Sequence, residues 1–252
     1  MSRLSFKLHC GRQGLYGVRL GVLLGVLLGT LGPAVMPVPG AAQDYVPPGR
    51  GLPGRREGGG TRGACLPAQS PQPNSLPLTA MIPNTNFGLT IAEYPTLFWY
   101  VPENSAAAAE FILLDHTGTE VYQTVVPIAP QPGVIRLQLP RDGSLPPLTV
   151  GKDYQWFFAL ICDPLDRSAD VLTEGWIQRV EPSAALVNQL AAAAPETQPT
   201  IYARSGIWYE AIATLATLRY AQPDNTELAS QWQSLLQSVG LGELANQPLR
   251  LD

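Results

Sequence analysis

The sequence predicts a mainly β protein, a sandwich carrying a C-terminal α-helical hairpin, made on an export signal. Three observations predict it. From residue 77 to about 181, short runs of β-branched and aromatic residues recur between turn residues, with no helical period between them. From Ser183 onward the apolar residues switch to helical spacing. Ahead of both stands a basic, then apolar, N-terminal segment unlike either.

That segment carries Arg3, Lys7, Arg12 and Arg19 and no acid, then an apolar run from Leu20 to about Leu31, then Pro33, Pro37, Pro39, Gly40, Ala41 and Ala42. A positive start, a short apolar core and a small-residue exit read as a secretory signal peptide, residues 1–42, cut after Ala42. An uncleaved anchor is the alternative, but the run is shorter than the ~20 residues a spanning helix needs. The expectation is an exported chain, periplasmic or extracellular, with no transmembrane span after cleavage. The whole chain carries −4 and its first 42 residues +4, so the remainder carries −8. That acidity argues against nucleic acid as a partner. The length that remains is enough for one sizeable domain or two small ones.

Residues 43 to about 76 are rich in Gly, Pro, Arg and Ser and read as an arm or linker, since nothing in them buries a core. Between Arg50 and Arg62 four arginines stand against Glu57, a local charge of +3. Arg55, Arg56 and Arg62, with the glycine N–H groups, are candidates to hold a carboxylate, sulfate or phosphate of a partner or polymer. The competing reading pairs them with the acids of the domain itself. A nucleotide-binding loop is excluded, because Gly60 stands where such a loop needs Lys and no apolar strand precedes it. Once Cys10 leaves with the signal, Cys65 and Cys162 remain. In an oxidising compartment such a pair is most simply a disulfide; two free buried thiols are the other reading.

Eight runs are predicted strands: 78–82, 89–91, 97–101, 110–114, 120–126, 134–139, 154–162 and 175–180. The turn Asp115-His116-Thr117-Gly118 predicts a hairpin between the fourth and fifth. Leu148-Thr-Val-Gly151-Lys-Asp-Tyr154 resembles the tyrosine corner of immunoglobulin-like and fibronectin type III sandwiches, and Pro95-Thr-Leu-Phe98-Trp99 resembles their tryptophan-bearing central strand. The resemblance implies an immunoglobulin/fibronectin-III-like β-sandwich over 77–182. Such a scaffold hosts many roles and specifies none.

Residues 183–252 are predicted helical. Ser183 is the expected cap of a helix running to about Ala194. Trp208, Ala211, Ile212, Leu215 and Leu218 share one face, and Leu228, Trp232, Leu235, Leu236 and Val239 share another. Pro223 separates the two, and Asp224 with Glu227 reads as a capping-box variant.

Catalytic chemistry has little to work with. His116 is the one histidine left, in a turn, so common zinc sites cannot assemble and no cofactor is expected. No Gly-x-Ser-x-Gly elbow presents a serine. Asp163, Asp166 and Asp170, with Arg167 among them, form an acidic loop. Paired carboxylates can hydrolyse glycosides, so a hydrolase of envelope polymer is the alternative to a non-catalytic binding module. Adjacent aromatics such as Trp156, Phe157 and Phe158 must point to opposite sheet faces, so some face outward.

Gly54-Arg-Arg-Glu-Gly-Gly-Gly-Thr-Arg-Gly63, Phe98-Trp-Tyr-Val-Pro102, Ala159-Leu-Ile-Cys-Asp-Pro164 and Gly175-Trp-Ile-Gln-Arg-Val180 resemble a cyanobacterial family of exported proteins, domain of unknown function 928 (DUF928). The resemblance implies a cell-envelope setting, with an envelope protein or polysaccharide as partner. It brings no activity, cofactor or catalytic residue with it.

Overall fold

Asp153-Tyr-Gln-Trp-Phe-Phe-Ala-Leu-Ile alternates side chains between two faces, and a strand is the conformation that sorts them. The computed structural model describes residues 44–59, 65–66 and 76–251, so the predicted signal peptide and Arg62 lie outside the described residues. Its early strands are β1 (Arg55–Gly59), β2 (Thr79–Ala80), β3 (Phe87–Thr90), β4 (Thr96–Val101) and β5 (Ala108–Leu114). β6 (Glu120–Val126), β7 (Gly133–Gln138), β8 (Asp153–Ile161) and β9 (Val171–Arg179) follow. The helices α1 (Ala184–Ala192), α2 (Gln198–Arg204), α3 (Trp208–Ala221) and α4 (Thr226–Ser238) precede a last short strand, β10 (Leu249–Arg250).

All ten strands join one hydrogen-bonded sheet in the order β10-β7-β4-β2-β1-β9-β8-β5-β6, with β3 paired parallel to the far half of β9. The sheet curls, so that Trp99 of β4 stacks on Phe158 at 4.3 Å and meets Trp156 and Phe111 edge-on, at 5.5 and 5.9 Å. All four rings are fully buried.

The mainly β class holds, and where an immunoglobulin/fibronectin-III-like β-sandwich was expected the strands form one continuous curled sheet. The cause lies in the segment read as an arm. β1 pairs β2 on one side, Glu57 opposite Thr79, and β9 on the other, Arg55 opposite Glu174, and so bridges the two halves. Gly58 permits this, because a Cβ there would stand 2.7 Å from Val171 and 3.0 Å from Leu78.

The described residues ahead of β1 strap the fold. Tyr45 meets Trp208 edge-on at 5.0 Å, Val46 N–H donates to Ala203 C=O, and Trp176 Nε1–H donates to Pro53 C=O. Arg50 pairs with Asp153 at 2.7 Å and covers the Phe87 ring.

Local chemistry elsewhere follows the residues. Gly118 takes φ +81° in the β5–β6 hairpin, where Asp115 Oδ1 accepts from the Thr117 and Thr119 N–H groups. Tyr154 Oη accepts from Thr149 N–H, the back-bond expected of a tyrosine corner. Ser183 caps α1 by accepting from Leu186 N–H. α4 is capped not by Asp224 but by Asn225, which accepts from Glu227 and Leu228 N–H. Asn225 stands directly before Thr226, and a cap must occupy that position.

Trp208 and Tyr209, opening α3, seat it on the sheet: Trp208 Nε1–H donates to Met81 C=O, and Tyr209 O–H donates to Trp176 C=O. Beside them Glu210 Oε1 accepts from Thr90 Oγ1–H at 2.6 Å and from the Ile91 and Ala92 N–H groups, while Oε2 is buried with no hydrogen-bond partner among the described residues. Burial outweighs these donors and holds the carboxyl above its usual 4.5. A raised folded value means stability is fullest below 4.5 and declines as pH rises through the folded value. Glu210→Gln keeps an acceptor for the three donors and cannot titrate. The variant should therefore gain on wild type as pH rises above 4.5 in chemical unfolding. A constant difference between the two curves would show that Glu210 ionises normally in the fold.

Candidate functional site

Strict alternation sends Tyr154, Trp156, Phe158 and Leu160 of β8 into the core and leaves Gln155, Phe157 and Ala159 on the outer face. The register then aligns two outer rows across the sheet. One runs Gln123, Ile112, Phe157, Glu174, Arg55; the other runs Val125, Glu110, Ala159, Leu172, Gly59. Between them lies a groove of about 360 Å³ with Ile112, Phe157, Ala159 and Leu172 as its apolar floor.

The acidic loop forms its rim. Arg167 donates to Glu110 Oε2 at 2.7 Å and to Asp170 Oδ2 at 2.5 Å, and the other Asp170 oxygen accepts from Cys162 N–H. The Arg167 hydrogen bond holds the Glu110 carboxyl below its ordinary value, and the two carboxylates raise the guanidinium in turn. A general acid must hold a proton near neutral pH, and Glu110 is tuned the other way. Asp166 accepts from the Ser168 hydroxyl and N–H, which also lowers its carboxyl, and Asp163 accepts from Leu165 N–H. These acids are spent on shaping the loop. At its tip Leu165 is 97% exposed.

The predicted arginines part company. Arg55 is exposed on the outer face, opposite Glu174, with its guanidinium lying over Gly59. Arg56 points the other way and donates to Val239 and Gly240 C=O at 2.7 and 3.4 Å, closing the carboxyl end of α4. Its guanidinium is thus engaged within the fold. Cys65 and Cys162 form a disulfide that ties the strap to the start of the acidic loop. Arg55, Arg167 and Asp170, nominated from distant segments, thus share one face. The sequence reading missed Glu110, Ile112 and Leu172, which alternation alone places outward but cannot align.

A second groove, about 430 Å³, runs between α2 and α4 and is lined by Arg204, Glu227 and several hydroxyls; no nominated residue reaches it. Among the described residues no cluster of three or more His, Cys, Asp or Glu side chains suits a metal ion, and no helix is long and apolar enough to cross a membrane.

The family described as Domain of Unknown Function (DUF928) matches residues 57–249, from within β1 to the start of β10. The chain belongs to that family, as the wording of its arm and strands indicates. No curated protein and no solved structure matches it.

Proposed function

We propose that this is an exported cell-envelope protein and a non-catalytic interaction module, which takes a protein partner on the outer face of β5, β8 and β9. One observation carries the reading: an apolar floor around Phe157, framed by fixed ion pairs, lies beside a loop that holds Leu165 almost wholly in solvent. A buried aromatic anchor within a polar rim is how protein interfaces concentrate their energy. The apolar tip favours protein over polysaccharide as the occupant. The disulfide fits an oxidising compartment, and the N-terminal sequence supplies the route there.

The test is a photo-crosslinking residue at position 165, used in native envelope, with the same residue at exposed His116 as control. One specific protein adduct from position 165 is expected, reduced at least tenfold by Phe157→Lys in a chain of unchanged circular dichroism. Equal adducts from both positions, or indifference to Phe157→Lys, would remove this face from the reading. Sequencing the exported chain should give Gln43 as its first residue, which makes Tyr45, docked on Trp208, its third.

A further inference from the structure

We propose that the chain forms a two-fold symmetric dimer by pairing β6 with the β6 of a second copy. This does not rest on the outer-face reading above; it rests on the edge of the sheet.

Among the described residues, β6 ends the sheet and pairs β5 alone. The opposite end is closed by β10, only two residues long. A free edge presents unpaired N–H and C=O groups, and proteins blunt such edges with lysines, prolines, bulges or very short strands. β6 is seven residues long, with no lysine, arginine, proline or glycine, and its one charge is Glu120 at the start. A register shift beside Leu113 and Leu114 disturbs that end, and Pro127 stops the other. What stays open is the regular, uncharged stretch Tyr122 to Val126.

That stretch is self-complementary. Paired antiparallel about Thr124, it sets Thr124 opposite its own copy, Tyr122 opposite Val126, and Gln123 opposite Val125. Thr–Thr and aromatic–β-branched pairs are among those that favour sheet pairing, and no like charges meet. The mature chain is acidic overall by the sequence reading, so an uncharged edge is the place where two copies approach with least repulsion. Val125, 56% exposed on the outer face, gains cover from the Gln123 of the other copy. A second copy satisfies every element of this match at once, because a two-fold contact uses the same patch twice. The two outer faces would then continue as one surface across the axis.

The experiment is sedimentation velocity on the exported, disulfide-intact chain across a range of concentrations, with Gln123→Lys/Val125→Lys beside wild type. Both positions are exposed, so the monomer should keep its circular dichroism, while lysine would face lysine twice in the dimer. A concentration-dependent dimer, weakened about tenfold or more by the double substitution, is expected. A monomer at every concentration overturns the proposal, as does a dimer that the double substitution leaves unchanged. As a second measure, Thr124→Cys should crosslink under mild oxidation far faster than His116→Cys at the hairpin tip. Equal rates would overturn the proposal just as firmly.

Discussion

Trp99→Ala is expected to lower stability by about 3–5 kcal/mol, the usual cost of emptying a core tryptophan site. The residue is fully buried and lies where the curled sheet faces itself, stacked on Phe158 and edge-on to Trp156 and Phe111. Rigid rings on three sides cannot collapse into the space, so the cavity persists and its lining loses contacts outright. For a chain of this size such a loss lowers the melting temperature by roughly 10 °C or more. Trp99→Phe should cost far less. It keeps a ring against Phe158 and deletes an indole N–H that is buried without a hydrogen-bond partner among the described residues. Equal losses for the two variants in urea unfolding would mean that the ring stack is not the source of the stability.

The second large effect is expected from the disulfide. Cys65 and Cys162 stand 97 positions apart, and closing a loop of that length restricts the unfolded chain by about 5 kcal/mol in the chain-entropy account. The double change Cys65→Ser/Cys162→Ser should therefore lower the unfolding free energy by about 2–4 kcal/mol in non-reducing buffer, and wild type in reductant should approach the variant. Indifference of wild type to reductant, with Cys65 only 2% exposed, would show that the bridge is closed off rather than without value, and the serine variant separates the two. Cys162 also gives its N–H to Asp170, one of the two carboxylates that orient Arg167. Loss of the bridge should loosen the rim of the groove as well as the fold.

Some of this architecture was open to reading from the residues and some was not, for definite reasons. Each of the eight strand runs contains or overlaps a strand of the structure, because alternation and turn residues are local properties. The β5–β6 hairpin and the Tyr154 back-bond were legible for the same reason. β1 was not. Arg55-Arg-Glu-Gly-Gly59 holds no apolar residue, and the glycine that looks like a breaker is the one the packing against Val171 and Leu78 demands. The partners of Arg56, the Val239 and Gly240 carbonyls just past α4, could not be read from the arm because they lie far along the chain. The groove was half legible. Arg55, Arg167 and Asp170 could be nominated by type, but their shared face depends on the register of β1 against β9, which no local pattern encodes.

The strand that bridges the sheet has a consequence for how the chain is made. β1 is the first strand among the described residues, yet it needs β9 beside it, and its Arg56 closes a helix end 183 positions away. A polypeptide made from its N-terminus thus delivers the bridging strand long before its neighbours arrive. Until β9 emerges, the halves of the sheet cannot be joined and the hairpin edges stay open. Contacts of such long range make for slow folding and a prolonged period of exposure to proteases and to self-association. Supply of this protein should accordingly track the capacity of the folding helpers it meets more closely than its rate of synthesis.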